Sequence, residues 1–306
     1  GSLPYILPAL DFPPIYATRL TQGLINVKLK EHRQVDKVAV NVVNAGERIE
    51  AGKCSVEIVR VNHSVPDATA LAIHTPLGII VHTGDYKFDH TPVNGAPADF
   101  GTLARLGNEG VLVAMGDSTR IESPGYTPSE RVLNDSFDKI FANAPGRIIL
   151  ATFASLLSRV QQVIDTAERY DRRVALVGRS MINNVQMALE LGYLHMPQGM
   201  LIRAEDIKQF QPEQVAIICT GSQGEPTSAL TRIANQDHRL IRIQPNDTVI
   251  LSATPVPGNE RMVNRTINNL FRQGAEVYYQ AIANVHVSGH AAQEEQKLML
   301  SLLRPK

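Results

Sequence analysis

Histidine and aspartate side chains follow apolar, strand-like runs at several points in the first half of the chain. His63 comes directly after the run from Cys54 to Val61, and Asp85 and Asp117 follow two later runs of the same kind. A neutral imidazole at a rigid strand end is a good metal ligand, and one carboxylate can bridge two zinc ions. Because active sites of layered α/β folds collect at strand ends, these three residues are candidates for a single site.

Each of these residues also has an ordinary structural interpretation. A lone histidine usually does no more than make a hydrogen bond. An aspartate that follows a glycine, as Asp85 follows Gly84, commonly caps a helix or closes a turn. A single histidine or aspartate at the end of a strand could arise by chance, whereas three successive strands that end in this way favour a functional site.

A second histidine-bearing segment lies near the end of the chain, where His286 precedes His290 by four residues. We expect His290 to open the last helix, whose free N–H groups and partial positive charge would attract an anion such as a phosphate. Gly289 would allow a close backbone approach. An exposed helix cap with two incidental histidines explains the same residues.

Several loops at strand-to-helix junctions could also present backbone amides to phosphates. They are residues 153–155 (FAS), 220–226 (TGSQGEP) and 257–260 (PGNE). None is followed by the Gly-Lys-Ser/Thr of a Walker A loop, so taken alone they predict turns.

The elements that must position these residues change in character near residue 127. Up to Ser118 the apolar runs are short and β-branched, and residues 76–78 (PLG) are placed like a hairpin turn. Residues 127–130 (TPSE) match a capping box with proline at the first helical position. We therefore expect a helix that begins here and buries one face, formed by Leu133, Phe137, Ile140 and Phe141.

Beyond this point strand and helix patterns alternate, which predicts a largely parallel sheet covered by helices on both faces. The predicted strands are 147–152, 174–177, 215–220, 248–252 and 276–279, and the predicted helices are 156–170, 182–191, 259–273 and 290–303. We expect a first domain over residues 1–126, a doubly wound domain over 127–284, and a return into the first domain over 285–306.

Length and composition bound the kind of protein. A chain of 306 residues predicts about two domains, and 43% hydrophobic with 20% charged residues is typical of a folded globular protein. Basic and acidic residues both number 30, so a nucleic-acid partner would need a local site. The longest apolar stretches are too short to span a membrane.

The two cysteines, Cys54 and Cys219, lie far apart in strand-like runs. This placement predicts buried thiols in a reducing compartment rather than a disulfide or a metal site. We recognise no signal peptide, although the chain opens with Gly1-Ser2.

Taken together and in this order, these segments resemble the ribonuclease J family over nearly the whole chain. Residues 63–67 (HSVPD) and 84–89 (GDYKFD) resemble the third and fourth motifs of the metallo-β-lactamase fold. The segments that resemble the β-CASP signatures are 116–119 (GDST), 151–155 (ATFAS), 178–181 (GRSM), 220–226, 257–260 and 286–290 (HVSGH). The resemblance implies an α/β protein in which a doubly wound β-CASP domain is inserted into a partial metallo-β-lactamase αββα domain.

The resemblance also implies an activity. Members of this family are two-zinc phosphodiesterases that act on single-stranded RNA, as 5′-to-3′ exonucleases and endonucleases in RNA maturation and decay. Manganese and magnesium are further candidate metals. A cytoplasmic homodimer or homotetramer without membrane attachment is the expected form.

The family pattern assigns roles to particular residues of this chain. His63 resembles a zinc ligand and Asp85 the bridging ligand, and His290 would assist proton transfer to the leaving oxygen. Asp85 and His290 are therefore the catalytic candidates. The residues that would hold the RNA phosphates are Phe153, Ala154, Ser155, His286, Val287, Ser288, Gly289 and His290.

The sequence departs from the family pattern in several places. Leu156 and Ser158 stand where the family usually has Asn and His, and Arg120 with Ile121 is also atypical. The H-x-H-x-D-H segment, which supplies most of the ligands, would lie before Leu3, and a last histidine ligand would lie after residue 306.

These departures set the expectation for metal binding and leave an alternative open. With two recognisable ligands, we expect this chain alone to bind zinc weakly or not at all. The alternative function is a catalytically incomplete RNA-binding or assembly module of the same fold. A small-molecule hydrolase is disfavoured because the long inserted α/β domain is typical of β-CASP proteins.

Overall fold

The computed structural model describes residues 2–93 and 95–306 and divides the chain into two compact units. Unit 1 comprises Gly1–Ser129 with Ser288–Lys306, and unit 2 comprises Glu130–Val287. The chain therefore leaves unit 1, forms unit 2 and returns. Unit 2 begins at residue 130 and ends at residue 287, whereas the sequence led us to expect residues 127 and 284.

The secondary structure of the described residues alternates between short strands and helices. The strands are β1 (Ile15–Ala17), β2 (Val40–Val42), β3 (Arg48–Ala51), β4 (Cys54–Arg60), β5 (Thr69–Thr75), β6 (Gly78–His82), β7 (Val111–Met115), β8 (Ile148–Ala151), β9 (Arg173–Val177), β10 (Leu201–Ile202), β11 (Val215–Cys219), β12 (Thr248–Leu251) and β13 (Glu276–Tyr278). The helices are α1 (Leu3–Ile6), α2 (Arg19–Glu31), α3 (Phe100–Glu109), α4 (Leu133–Asn143), α5 (Leu157–Arg169), α6 (Arg179–Glu190), α7 (Ala229–Ala234), α8 (Glu260–Arg272) and α9 (Gln293–Leu303).

Unit 1 is built on a mixed sheet in which β3 to β7 follow one another in chain order. The pairs from β3 to β6 are antiparallel, and β7 runs parallel to β6. Thr75 pairs with Gly78, which confirms the hairpin predicted at residues 76–78. Strands β1 and β2 form a separate parallel pair.

Two helices cover one face of this sheet. Leu103 and Leu106 of α3 and Met299 and Leu303 of α9 are buried in one core with residues of β4, β5 and β6. The two helices approach closely at Gly107, where an added Cβ would lie 1.9 Å from the carbonyl oxygen of Leu302. A side chain at position 107 is therefore excluded by the backbone of α9.

Unit 2 is a parallel sheet with helices between its strands. In the described residues the strand order is β10-β9-β11-β8-β12-β13, and every neighbouring pair is parallel. Each residue of β8, β11 and β12 is buried, as in central strands that are covered on both faces. Alternate residues of these strands pack against apolar residues of α7 and α8.

The helix predicted to begin at Thr127 begins instead at Leu133, after a short 3₁₀ turn over Glu130–Val132. Thr127 and Glu130 do not cap a helix, because each has another partner. The Thr127 N–H donates to Glu295 Oε2 (2.7 Å), and the Glu130 carboxylate pairs with the buried guanidinium of Arg159. The apolar face predicted for this helix is buried in α4.

None of the helices in the described part of the chain is long and apolar enough to cross a bilayer.

Candidate functional site

The segments that follow β4 and β6 lie side by side and bring His63 and Asp85 together. The N–H of Lys87 donates to the carbonyl oxygen of Asn62 (2.7 Å), which forms an isolated antiparallel bridge just beyond the sheet. Gly84 has a φ of 61°, and a Cβ there would lie 2.8 Å from the Thr69 carbonyl oxygen, so the turn before Asp85 requires glycine. His63 Nε2 is 4.0 Å from Asp85 Oδ2.

The ring of His63 is oriented by the backbone of the loop that returns from unit 2. Its Nδ1 lies 2.8 Å from the carbonyl oxygen of Gly289, so Nδ1 carries the proton and Nε2 keeps its lone pair. Burial lowers the pKa of His63 below its ordinary value, and the hydrogen bond to Gly289 opposes this only in part. His63 is therefore neutral near neutral pH, which is the form that binds metal.

Position 289 is also restricted to glycine by this contact. A Cβ at Gly289 would lie 2.6 Å from His63 Nδ1. Gly289 therefore allows the close backbone approach that the sequence suggested, and the group that approaches it is the imidazole of His63.

His290 pairs with a carboxylate rather than a carbonyl. Its Nδ1 lies 2.7 Å from Oδ2 of Asp117, whose side chain is only 4% exposed. Thr119 donates to the other oxygen of Asp117 through its hydroxyl (2.6 Å) and its N–H (3.0 Å). Burial raises the pKa of Asp117, but the hydrogen bonds from Thr119 and His290 outweigh it and hold the pKa below its ordinary value. Asp117 is thus a carboxylate that anchors His290.

The side chains of His63, Asp85 and His290 form one cluster. Each offers a ligand atom, and these atoms all lie within 4.8 Å of one another. The rings of His63 and His290 meet edge to face, with centroids 5.1 Å apart. Two imidazoles and a carboxylate are a donor set that zinc accepts, so the residues present fit a divalent metal. The side chain of Asp85 is 66% exposed, which leaves the cluster open to solvent.

The helix expected to begin at His290 begins at Gln293. Its first N–H groups are not free for an anion: that of Gln293 donates to Ser123 O (2.9 Å) and that of Glu294 to Gly125 O (3.1 Å). The N–H of Ala292 donates to Glu295 Oε2 (2.8 Å). The N–H groups expected to be free at the start of this helix are therefore already paired, and a phosphate contact of the loop from His286 to His290 stays a prediction.

The other predicted contacts to RNA fall in different parts of the chain. Phe153, Ala154 and Ser155 follow β8 in unit 2, where the Phe153 side chain is exposed and Asn184 Nδ2 donates to the carbonyl oxygen of Ala154 (3.1 Å). The loop from His286 to His290 is divided, with residues 286 and 287 in unit 2 and residues 288–290 in unit 1. Their contact with RNA stays a prediction.

Sequence reasoning missed two features of the site. Asp117 was a candidate by its place at a strand end, but its pairing with His290 joins residues 173 positions apart, and no local pattern indicates it. Glu295, a buried residue in the first turn of α9, was not singled out. A glutamate at the third position of a helix is a capping signal, but the residue at the cap position is Ala292 rather than Ser or Thr.

The fold and the site define a class: a metallo-β-lactamase αββα domain, present in part, into which a doubly wound β-CASP domain is inserted. A family model described as "Ribonuclease J, beta-CASP domain" matches residues 145–270. Over its whole length the chain is 45% identical to Ribonuclease J of Helicobacter pylori (strain J99) and of Thermus thermophilus, covering 44% and 54% of those proteins. It is 41% identical to Ribonuclease J2 of Bacillus subtilis (strain 168), covering 55%.

The chain is therefore similar to ribonuclease J proteins over its whole length, and it spans about half the length of the curated relatives that it matches. A crystal structure of a protein of unknown function from Enterococcus faecalis V583 has a similar fold, with a TM-score of 0.66 at 19% identity. That similarity covers 95% of this chain and 68% of the other, and it shows the fold alone.

Proposed function

We propose that this chain is part of a metal-dependent ribonuclease that hydrolyses RNA phosphodiester bonds, as a 5′-to-3′ exonuclease and an endonuclease in RNA maturation and decay. One observation carries the proposal: the ligand atoms of His63, Asp85 and His290 lie within 4.8 Å of one another. The similarity to ribonuclease J proteins favours RNA as the substrate.

In this proposal His63 and Asp85 would hold the metal, which is zinc in the family that the sequence resembles. Manganese and magnesium are the alternative metals. When bound, such ions supply a more acidic water and Lewis-acid stabilisation of charge on the phosphate oxygens. The fixed tautomer of His63 supports this role, because a metal-binding histidine commonly donates its other ring N–H to a carbonyl oxygen or a carboxylate.

His290 has a different role in this proposal, which is to give a proton to the leaving oxygen of the RNA. The Asp117 carboxylate holds the Nδ1–H of His290, so the proton to be transferred is the one on Nε2. A buried carboxylate that orients an imidazole and stabilises its protonated form is a known arrangement for acid–base catalysis. After the transfer the ring is neutral and takes up a proton from solvent.

The segments proposed to contact RNA phosphates are Phe153, Ala154 and Ser155, and the loop from His286 through Val287, Ser288 and Gly289 to His290. The exposed ring of Phe153 could also stack on a base, as aromatic side chains do in single-strand binding. A homodimer or homotetramer is the proposed form of the complete protein.

The test is RNA cleavage by the complete protein that the gene encodes, with and without removal of metal. We expect a chelator to abolish cleavage of a 5′-labelled single-stranded RNA and zinc to restore it. Asp85→Asn should abolish cleavage, whereas His195→Ala, at an exposed histidine of unit 2, should leave it unchanged. A wild-type protein that binds RNA but contains no metal and cleaves nothing would instead support the RNA-binding or assembly module.

A further inference from the structure

The carboxylate of Glu295 is fully buried and accepts hydrogen bonds from three backbone N–H groups. Oε1 accepts from Phe88 (2.7 Å), and Oε2 accepts from Thr127 (2.7 Å) and Ala292 (2.8 Å). A buried carboxylate is unfavourable unless it is hydrogen-bonded in this way. One side chain therefore joins three segments that are far apart in sequence.

Two of these segments carry residues of the candidate site. Phe88 lies three residues after Asp85, and Ala292 lies two residues after His290. The same segments are also joined directly, because the N–H of Ala291 donates to the carbonyl oxygen of Tyr86 (2.6 Å). The third segment contributes a further bond, from the hydroxyl of Thr127 to the carbonyl oxygen of His290 (2.7 Å).

We propose that Glu295 is a positioning residue that sets the distance between Asp85 and His290 by holding the backbone of both loops with one carboxylate. The inference rests on the proposed ribonuclease function. A role limited to capping α9 would need only the bond to Ala292. The bonds to Phe88 and Thr127 do nothing for that helix, and they are what connects the two loops.

Glu295→Gln in the complete protein tests this, with Glu294→Gln as the matched control. The amide of glutamine has one acceptor oxygen, and its NH₂ group would face an N–H donor, so at least one loop is released. The control removes the same charge from the same helical turn, at a side chain that is partly exposed and paired with Lys297 (2.7 Å). Glu295→Asp, which keeps the charge on a shorter side chain, is the second variant.

Two measurements separate positioning from a purely structural role. We expect Glu295→Gln to lower kcat on the order of 10- to 100-fold with KM for RNA unchanged, and Glu294→Gln to match the wild type. Hydrogen–deuterium exchange, measured without metal or RNA, should show faster exchange at residues 85–88 and 290–292 and no change in β5. If Glu295→Gln does not fold, Glu295→Asp is measured in the same way.

The proposal would be overturned if kcat stayed unchanged in a variant whose two loops exchange faster, or if kcat fell without faster exchange. It would also be overturned if Glu294→Gln had an equal effect, or if neither Glu295 variant folded. A wild-type protein that cleaves no RNA would refute the ribonuclease function. Even then, the exchange measurement would decide whether Glu295 holds the two loops.

Discussion

At the scale of single residues, the two histidines of the cluster differ in what holds Nδ1. His63 pairs with the neutral carbonyl of Gly289, whereas His290 pairs with the carboxylate of Asp117. A carbonyl partner suits a ring that stays neutral and offers a lone pair, and a carboxylate partner suits a ring that gains and loses a proton. The difference agrees with proton transfer by His290, but metal-binding histidines also pair with carboxylates, and the two roles come from the resemblance to the family.

Replacing His290 tests that assignment directly. His290→Ala should lower cleavage by a factor on the order of 10² to 10⁴, as for loss of a general acid, and leave the zinc content unchanged. Elemental analysis after dialysis measures the zinc and a gel assay measures the cleavage. Loss of zinc in this variant would show that His290 is a ligand, as its place in the cluster also allows. If neither cleavage nor RNA affinity changed, His290 would be an incidental histidine.

Asp117→Asn should have a similar effect on cleavage. The carboxylate now accepts from Thr119 through Oδ1 and from His290 through Oδ2. In asparagine, an NH₂ group that faced His290 would force the ring into the other tautomer, so we expect a loss on the order of 10² to 10⁴ with folding retained. Glu122→Gln, at an exposed carboxylate, is the control. Full activity of Asp117→Asn would show that Asp117 is dispensable.

At the scale of elements, the strands could be predicted because their pattern lies in the local sequence. The helix starts were predicted less well, and one of them depends on a contact with a distant residue. The runs before His63 and Asp85 were recognised as strands because their apolar β-branched residues follow one another directly. The start of α9 was misplaced because its cap residue is Ala292 rather than Ser or Thr, and the start of α4 was misplaced because Thr127 donates to Glu295 instead of capping α4. That contact spans 168 positions between Thr127 and Glu295, which no short pattern encodes.

The contact between α3 and α9 gives a prediction about stability. Gly107→Ala should lower the free energy of unfolding by about 1–3 kcal/mol, because the added Cβ would overlap the Leu302 carbonyl oxygen and force the helices apart. Gly101→Ala, at an exposed position in the first turn of α3, meets only Asp99 Oδ1 at 3.4 Å and should not destabilise the protein. Urea unfolding followed by circular dichroism compares the two. Equal stability of both variants would contradict the observed packing.

At the scale of the whole molecule, the candidate site draws on both stretches of unit 1, before and after the insertion. His63, Asp85 and Asp117 precede unit 2 in the chain and His290 follows it. The sequence could place each residue at a strand or loop end, but it could not show that each stretch supplies the partner of the other's histidine: Gly289 for His63, and Asp117 for His290. Hydrogen bonds between residues as far apart as His63 and Gly289 arise only from the complete fold.

Metal binding by this chain alone is the prediction at this scale. We expect zinc to be retained weakly or not at all, because this chain offers two proposed ligands, His63 and Asp85, and the Asp85 carboxylate is largely exposed. Elemental analysis after dialysis should find less than one zinc ion per chain, and His63→Ala should remove what remains. Two zinc ions retained per chain would show that the ligand set has been misjudged.

Because unit 1 is split in the sequence, its two stretches are synthesised at different times. His63 is oriented by a carbonyl 226 positions further along, and Phe88 is held by a carboxylate 207 positions further along. All of unit 2 is translated between them, which takes on the order of 10 s at typical elongation rates. Throughout that time the emerging chain carries His63 and Asp85 without His290 and Glu295. A growing polypeptide therefore cannot assemble the cluster until the ribosome has read the messenger as far as the codons for residues 289–295.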